Sequence, residues 1–393
     1  MNQPFLKHLR LDGFLSFEPG SAPMEFAPLN VLIGPNGSGK SNLIEAIELL
    51  HSTSTDLSSA IRDGGGAGEW LWKGSDIKAG AATIDVELGY CPIISRPLRY
   101  RLQFDALQGR AEVLEEDIEE VKPISGKTDV RFFYRFQGGN PYINVRGSEH
   151  ARRLERASLA PGQSVLAQRK DPDLYPEITW LGQTYGAIQT FREWTFGRYA
   201  PLRQPQTADL PEGRLLPDSR NLALVLNQIE HGDGLRFNEL LKRFFPRFQR
   251  MSTRVLGGTV QFYLHETGFS VPIPPTRLSD GTIRFVALLA TLLAPEPPPL
   301  VCIEEPELGL HPDSMFLIAD LLKEASSRMQ IIVTTHSDAL VSALSDDPQT
   351  VVTCERVGGA TKLRRLDADR LSKWLENYRL GDLWRMGELG ANP

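Results

Sequence analysis

Gly34-Pro35-Asn36-Gly37-Ser38-Gly39-Lys40-Ser41 is the stretch on which the reading of this chain turns. Leu29, Val31, Leu32 and Ile33 precede it as a short apolar run, the pattern of a buried strand. Leu43, Ile44, Ile47 and Leu50 follow at helical spacing, so a helix begins where the loop ends. The glycines let the backbone curl until several N–H groups point at one anion, and Asn36, Gly37, Ser38 and Gly39 supply that cradle. The helix N-terminus adds partial positive charge. Lys40 adds a full charge, and the Ser41 hydroxyl is placed to ligate Mg2+, with Asn42 directly after it. Strand, loop and helix together read as a phosphate-binding loop.

Three later stretches carry the matching chemistry. Leu300-Val301-Cys302-Ile303-Glu304-Glu305-Pro306 is an apolar strand delivering two carboxylates to its C-terminal end, where open α/β sheets bind ligands. Nucleotide hydrolysis needs one carboxylate to hold Mg2+ and another to polarise the attacking water, roles that suit Glu304 and Glu305 respectively. Leu278-Ser279-Asp280-Gly281-Thr282 stands before an apolar helix. Ser279 or Asp280 suits an ordinary N-cap there, and Ser279 with the Gly281 backbone also suits a γ-phosphate at a helix N-terminus. Thr334-Thr335-His336-Ser337 follows the apolar run Ile331–Val333, and His336 at that strand end is placed to meet the γ-phosphate and the attacking water.

Composition sets the class. The 393 residues are 41% hydrophobic and 23% charged, with a formal net charge of -6. That acidity argues against coating DNA by bulk charge but permits a local basic face. Cys91, Cys302 and Cys354 are widely spaced and suggest neither a zinc site nor a disulfide framework, which points to a reducing cytoplasm. The N-terminus lacks the apolar core of a signal peptide. The longest apolar run, Phe285–Ala294, is too short to cross a membrane and reads as a buried helix, so no direct membrane insertion is expected.

Several expectations follow for the rest of the chain. Phe5–Phe17 and Glu25–Ile33 form the sheet edge that leads to the phosphate loop. Arg62–Gly68 is a mobile surface loop. Thr83–Gly89, Arg99–Asp105, Arg131–Phe136 and Tyr142–Arg146 are antiparallel strands of a β-rich insertion. Glu112–Glu120 is a solvated acidic hairpin rather than a metal site. A helix opens at Asp171-Pro172. Arg198–Pro217 is a junction, Asn221–Ile229 and Leu235–Phe245 are helices, and Val255–His265 is a hairpin turning at Gly257-Gly258. Leu300–Ile303, Met315–Leu322 and Ile331–Val333 form a strand–helix–strand unit of a parallel sheet. Asp367 and Asp369 cap a helix whose Leu371, Trp374, Leu375 and Tyr378 form one apolar face.

The order of these motifs resembles an ABC-type ATPase head, and within that superfamily its RecF/SMC-like branch of small single-chain ATPases. The residues carrying the resemblance are Gly34–Asn42, Leu278–Thr282 and Glu304-Glu305-Pro306-Glu307-Leu308-Gly309-Leu310-His311-Pro312. The resemblance implies an α/β fold with a mixed or parallel nucleotide-binding sheet, a β-rich insertion and a helical signature lobe. The whole chain, 1–393, is then one composite head. Its parts are an N-terminal lobe (1–197), a signature lobe (198–294) and the C-terminal part of the nucleotide-binding sheet (295–393). The resemblance also implies ATP and Mg2+ as cofactors, a D-loop-like stretch at Leu308–Pro312, His336 as the switch histidine and a glutamine-loop residue on the metal. Gln168 is assigned to that last role over Gln103 and Gln163, because it ends an apolar run before a helix. Two heads are expected to sandwich two ATP molecules, a homodimer formed on ATP binding. Asp280 departs from the glycine of transporter signatures, and its charge would repel a γ-phosphate unless the side chain turns away. Thr282 replaces the transporters' glutamine, and Glu304 stands where many relatives carry aspartate.

Partners are less sharply drawn. Arg236, Lys242, Arg243, Arg247, Arg250 and Arg254 cluster around Phe244, Phe245 and Phe248, with only Glu239 opposing them. The cations suit nucleic-acid phosphates and exposed rings would suit bases, but the rings are expected to face the core with the charges solvated around them. Arg152, Arg153 and Arg156 form a weaker cluster offset by Glu149 and Glu155. The leading reading is an ATP-dimerised ATPase acting in DNA repair, maintenance or defence. The alternatives are an ATP switch controlling an effector protein and a transporter's nucleotide-binding subunit, the latter disfavoured by the size of the β-rich insertion.

Overall fold

The computed structural model describes residues 4–74, 80–107, 109–123, 126, 129–148 and 150–390, so Glu149 lies outside the described residues. The chain divides into two compact units: residues 1–188, 352–365 and 390–393, and residues 189–351 and 366–389.

The first unit begins with β1 (Leu6–Asp12), β2 (Met24–Glu25) and β3 (Leu29–Ile33). Next come α1 (Lys40–Thr53), α2 (Leu57–Asp63), β4 (Ala82–Cys91), β5 (Arg96–Leu107), β6 (Arg110–Glu120), β7 (Phe132–Gln137), β8 (Asn140–Ile143) and β9 (Arg152–Arg153). Two short helices follow, α3 (Val165–Gln168) and α4 (Pro176–Gly186). An eight-stranded antiparallel sheet runs β2-β1-β4-β5-β6-β7-β8-β9. Glu25–Ile33 therefore splits: β2 pairs with β1, while β3 leaves that sheet. Every residue of β3 is buried, as expected of a central strand.

Three expectations are corrected in this unit. Glu112–Glu120 is the interior strand β6, not a solvated hairpin. Its acids survive there because the neighbouring strands supply cations: Arg99 meets Asp85 and Glu119, Arg135 meets Glu119, and Arg96 meets Glu120. Such cross-strand pairs stabilise a sheet that unpaired acids would break. Arg62–Gly68 is the end of α2 and the start of a 3-10 turn, Ala67–Trp70, whose Trp70 Nε1 donates to the Ile61 carbonyl at 3.0 Å. The helix expected at Asp171-Pro172 starts only at Pro176, because the Asp171 carboxylate accepts from Asp173 and Leu174 N–H and closes a turn instead.

The second unit comprises β10 (Gln189–Phe191), β11 (Gln206–Thr207), α5 (Leu222–His231), α6 (Gly234–Phe244), β12 (Phe248–Leu256), β13 (Thr259–Glu266) and α7 (Asp280–Leu292). It continues with β14 (Leu300–Glu304), α8 (Met315–Ala325), β15 (Gln330–Thr334) and α9 (Asp338–Ser342). Then β16 (Val351–Val357) and β17 (Ala360–Arg365) lead back into the first unit, where β16 lies beside β3. The helices α10 (Ala368–Leu375) and α11 (Leu380–Arg385) close the second unit. β10, β14 and β15 are parallel, as the strand–helix–strand reading requires. The lobe carrying Leu278–Thr282 is not purely helical, since it holds the three-stranded sheet β11-β13-β12.

The basic stretch is also corrected. Arg236 pairs with Glu324 as well as Glu239, and Arg243 pairs with Asp320, both extra acids coming from α8. The rings do as expected: Phe244 stacks on Phe285 at 3.9 Å and Phe248 is buried, so they serve the core rather than a ligand. No helix among the described residues is long and apolar enough to cross a membrane. The three cysteines are buried and in no disulfide.

Candidate functional site

The phosphate loop of the first unit is wedged against β16 and β17. A Cβ on Gly34 would lie 2.2 Å from the Cys354 carbonyl oxygen, and one on Gly39 would lie 2.0 Å from Thr361 Oγ1. Gly39 also takes a φ of 104°, which other residues rarely adopt. Behind the loop, Asn42 Nδ2 donates to Ser16 Oγ (2.7 Å). Ser16 Oγ lies 2.7 Å from Thr361 Oγ1, which donates to the Ser38 carbonyl (2.8 Å). Asn42 is thus a brace of the loop from behind. Arg356 holds the Gly37 carbonyl from the loop's other end at 3.3 Å. Lys40 is buried, its Nζ donating to the Gly34 and Pro35 carbonyls at 2.7 and 3.2 Å. Ser38 Oγ is buried without a hydrogen-bond partner among the described residues, while Asn36, Gly37 and Ser41 are exposed. The cradle is therefore rigid at its back and open at its front.

Gln168, in the same unit, ends the short helix α3. Its Oε1 accepts from Ala160 N–H (2.8 Å) and its Nε2 donates to the Gln163 and Ser164 carbonyls. To reach a metal it must release these local bonds. The cap of α3 is built on Glu116, which accepts from the Ser164 hydroxyl, from Val165 N–H (2.9 Å) and from Tyr100 Oη (2.9 Å). Burial dominates these bonds and raises the Glu116 pKa to about 7.

In the second unit β14 ends on Glu304 and β15 on Thr334, neighbours in register. Glu304 Oε2 stands 3.4 Å from Arg192 Nε, while Oε1 is buried with no partner among the described residues. An orphaned carboxylate oxygen is a hard donor of the kind Mg2+ takes, so Glu304 fits the metal role. Glu305 has a φ of 46°, a strained value for a residue with a side chain. Its N–H donates to the Thr334 carbonyl at 3.0 Å, and its Oε1 lies 3.8 Å from His336 Nε2. The structure thus brings Glu304, Glu305 and His336 together. Glu307, quoted in the motif without a role, is what holds the histidine turn. Its Oε1 accepts from Thr335 Oγ1 (2.6 Å) and His336 N–H (2.8 Å), and burial raises its pKa.

The segment before α7 bears out the N-cap reading of Ser279. Ser279 is the N-cap, its Oγ accepting from Thr282 N–H at 3.1 Å. Gly281 packs so closely on the loop after β14 that a Cβ would lie 2.8 Å from the Gly309 carbonyl oxygen. Asp280 does not stand uncompensated, because its carboxylate is bonded to Arg203. Arg203 is almost wholly buried and also donates to the carbonyls of Phe196, Pro275 and Leu278 at 2.8, 2.7 and 2.8 Å. Arg192, Arg203 and Glu307 were not found by sequence reasoning. Arg203 sits in a proline-rich stretch with no local pattern, and only Glu307 had a visible signal, as the third acid of Glu304-Glu305-Pro306-Glu307.

The fold is similar to that of an Smc head bound to the C-winged helix domain of ScpA, at 17% identity and a TM-score of 0.60, covering 93% of this chain and 99% of that one. It is also similar to an Smc head with an extended coiled coil bound to the C-terminal domain of ScpA from Pyrococcus furiosus (16%, 0.57, 95% and 99%). A third is an Smc head with a coiled coil and joint from Pyrococcus yayanosii (13%, 0.55, 95% and 99%). No curated protein matches the sequence. A family model described as "AAA domain, putative AbiEii toxin, Type IV TA system" matches residues 29–342, from the strand before the phosphate loop to the helix after His336. With most of its length inside that match, the chain belongs to this AAA-domain family and has the fold of an ABC/SMC-type ATPase head.

Proposed function

We propose that the chain binds Mg·ATP at the Lys40 loop, is joined to a second copy by that ATP, and hydrolyses it. The observation that carries the reading is the phosphate loop: a buried lysine at a helix N-terminus, in a cradle where Gly34 and Gly39 have no room for a side chain. Asn36–Gly39 cradle the phosphates, Lys40 pairs with the β- and γ-phosphates, and Ser41 and Glu304 are the metal ligands, with Gln168 a third after it leaves its local bonds. When bound, Mg2+ neutralises charge on the transferred phosphoryl group. Glu305 orients the attacking water and accepts its proton, and His336, held by Glu307, hydrogen-bonds the γ-phosphate. Ser279 and the Gly281 N–H group complete the γ-phosphate site of the other copy. Isothermal titration with ATP, beside a phosphate-release assay, tests the reading; a folded chain that binds no nucleotide overturns it.

The work of that cycle is on DNA, in repair, maintenance or defence, a reading supported by exposed cations in the second unit. A second reading has its own support. The family's description names a putative toxin of a toxin–antitoxin system, and Trp374 of α10 and Tyr378 just after that helix are each 42% exposed. In that reading ATP controls contact with an effector protein. The eight-stranded sheet counts against a transporter subunit, as it adds mass that such a role does not need.

A further inference from the structure

The second unit carries a basic ribbon that nucleotide chemistry does not use. β12 and β13 join through Gly257 and Gly258, whose φ values of 58° and 77° make a tight turn matched to strand twist. The register pairs Arg250 with His265, Ser252 with Tyr263, and Arg254 with Gln261. Directly paired residues share a face, so these six stand on one side of the hairpin. Met251, Phe262 and Leu264 point to the other side and are buried. On that inner side Thr253 is tied to Asn227 and Glu230 of α5.

None of these six residues is a carboxylate. Arg254 lies over the Tyr263 ring at 5.1 Å, and Ser252 Oγ is 2.9 Å from His265 Nε2. Burial, and then the charges of Arg250 and Arg254, lower the His265 pKa against the opposing charge of Glu230. Lys242 and Arg247, just before the hairpin in the chain, are exposed. While Arg236 and Arg243 are taken by acids of the unit, Lys242, Arg247, Arg250 and Arg254 have no ion-pair partner among the described residues. At the turn Val255 and Leu256 are 63% and 81% exposed, an apolar tip on a basic ribbon.

We propose that this hairpin is a contact for duplex DNA, with Arg250 and Arg254 on backbone phosphates and the Val255–Leu256 tip entering the groove. The proposal rests on the DNA reading above and gives it a place. Duplex is favoured over single strand because Tyr263 is covered by Arg254, leaving no open ring on which bases stack. DNA is favoured over RNA because a two-stranded ribbon fits the major groove of B-form DNA, whereas that of A-form RNA is deep and narrow. On a chain of net charge -6, such contact works by local field rather than bulk attraction.

Fluorescence anisotropy with a labelled duplex, titrated from 50 to 200 mM salt, tests this. Each phosphate contact contributes about 0.9 to the slope of log affinity against log salt. Arg250→Gln/Arg254→Gln should therefore flatten the slope by about 1.8, so that the wild type loses about 12-fold more affinity than the variant across that range. Leu256→Ser should weaken binding with the slope unchanged. Basal ATP turnover should stay as in the wild type for both. Wild-type duplex binding that the double variant retains, slope included, overturns the hairpin assignment but leaves DNA as the substrate. Absence of wild-type duplex binding at 50 mM salt overturns both. Tighter binding to single strand or to RNA of the same sequence overturns the duplex assignment. Binding of the duplex by Lys40→Ala at wild-type affinity in the absence of nucleotide is the expected result and separates this surface from the ATP site.

Discussion

Replacing Arg203 with Met tests how the segment Leu278–Thr282 is held. The guanidinium reaches three carbonyls and one carboxylate from a position that is 3% exposed. The Asp280 side chain is 72% exposed, so its ion pair adds little to stability and the weight falls on the carbonyls. The Pro275 oxygen also accepts from Leu278 N–H at 3.2 Å and is not orphaned by the change. That leaves the Phe196 and Leu278 oxygens, each losing a charged donor worth about 1.5–3 kcal/mol. Relief of guanidinium desolvation and burial of the Met side chain offset part of the loss. The net expectation is a fall of about 2–4 kcal/mol in unfolding free energy. Arg203→Lys, a point charge that cannot serve four acceptors, should fall between. Urea denaturation measures this, with an unchanged denaturant slope as the sign that only stability has moved.

The same substitution leaves the Asp280 carboxylate uncompensated at the helix N-terminus where a γ-phosphate is proposed to bind. ATP turnover should then drop while ATP affinity at the Lys40 loop stays. Adding Asp280→Gly to Arg203→Met should restore part of the turnover and none of the stability. An Arg203→Met protein within 0.5 kcal/mol of wild type (well under the roughly 1 kcal/mol of one hydrogen bond) and of unchanged turnover would refute the reasoning.

Lys40→Ala should lower ATP affinity about 100-fold in a folded chain, the cost of one preorganised cation in a phosphate site; an unchanged calorimetric Kd counts against it. Glu305→Gln should bind ATP without hydrolysing it and persist as a dimer in light scattering, and Ser279→Arg added to it should return the protein to monomer. If Glu305→Gln with Mg·ATP stays monomeric at micromolar concentration, the dimer is wrong. Glu307→Ala should lower turnover with little change in KM, since it frees the His336 turn rather than a substrate contact, and Glu307→Gln should keep more activity than Glu307→Ala. Glu116 gives a pH test. Its folded pKa, about 7, lies above the ordinary carboxylate value of 4.5, so the folded state holds the proton more tightly than the unfolded state between these limits. Stability should therefore fall as pH rises from about 4.5 to 7, by about 1–3 kcal/mol, and Glu116→Gln should flatten that slope in urea melts at several pH values.

What the sequence made legible is what depends on local pattern. The phosphate loop declares itself because its chemistry needs fixed residues at fixed spacing between a strand and a helix, and Leu29–Ile33 and Lys40–Thr53 form those elements. β14 and β15 are legible because their buried centres, Leu300–Ile303 and Ile331–Val333, are unbroken apolar runs. The errors arise where a residue's environment is made by distant segments. Glu112–Glu120 reads as solvated because its charges are visible in the sequence, whereas Arg96, Arg99 and Arg135 become its partners only once β5 and β7 flank it. Arg236 and Arg243 read as available to a ligand until α8 brings Glu324 and Asp320 beside them.

Asp280 joins the two cases. From sequence it is a puzzle, a negative charge in a segment expected to meet a phosphate, with helix capping as the one local remedy. In the structure the cap is Ser279, and the compensation for Asp280 is Arg203, 77 residues earlier in the chain. A buried arginine is costly unless its donors are filled, and here three backbone carbonyls fill them before the carboxylate is counted. The pairing thus serves two ends at once. It fixes the backbone that presents Ser279 and Gly281, and it cancels the charge that would oppose an anion there. A departure from the transporter signature at Asp280 is consistent with anion binding because the compensating residue lies outside the motif, where sequence comparison of the motif alone does not look.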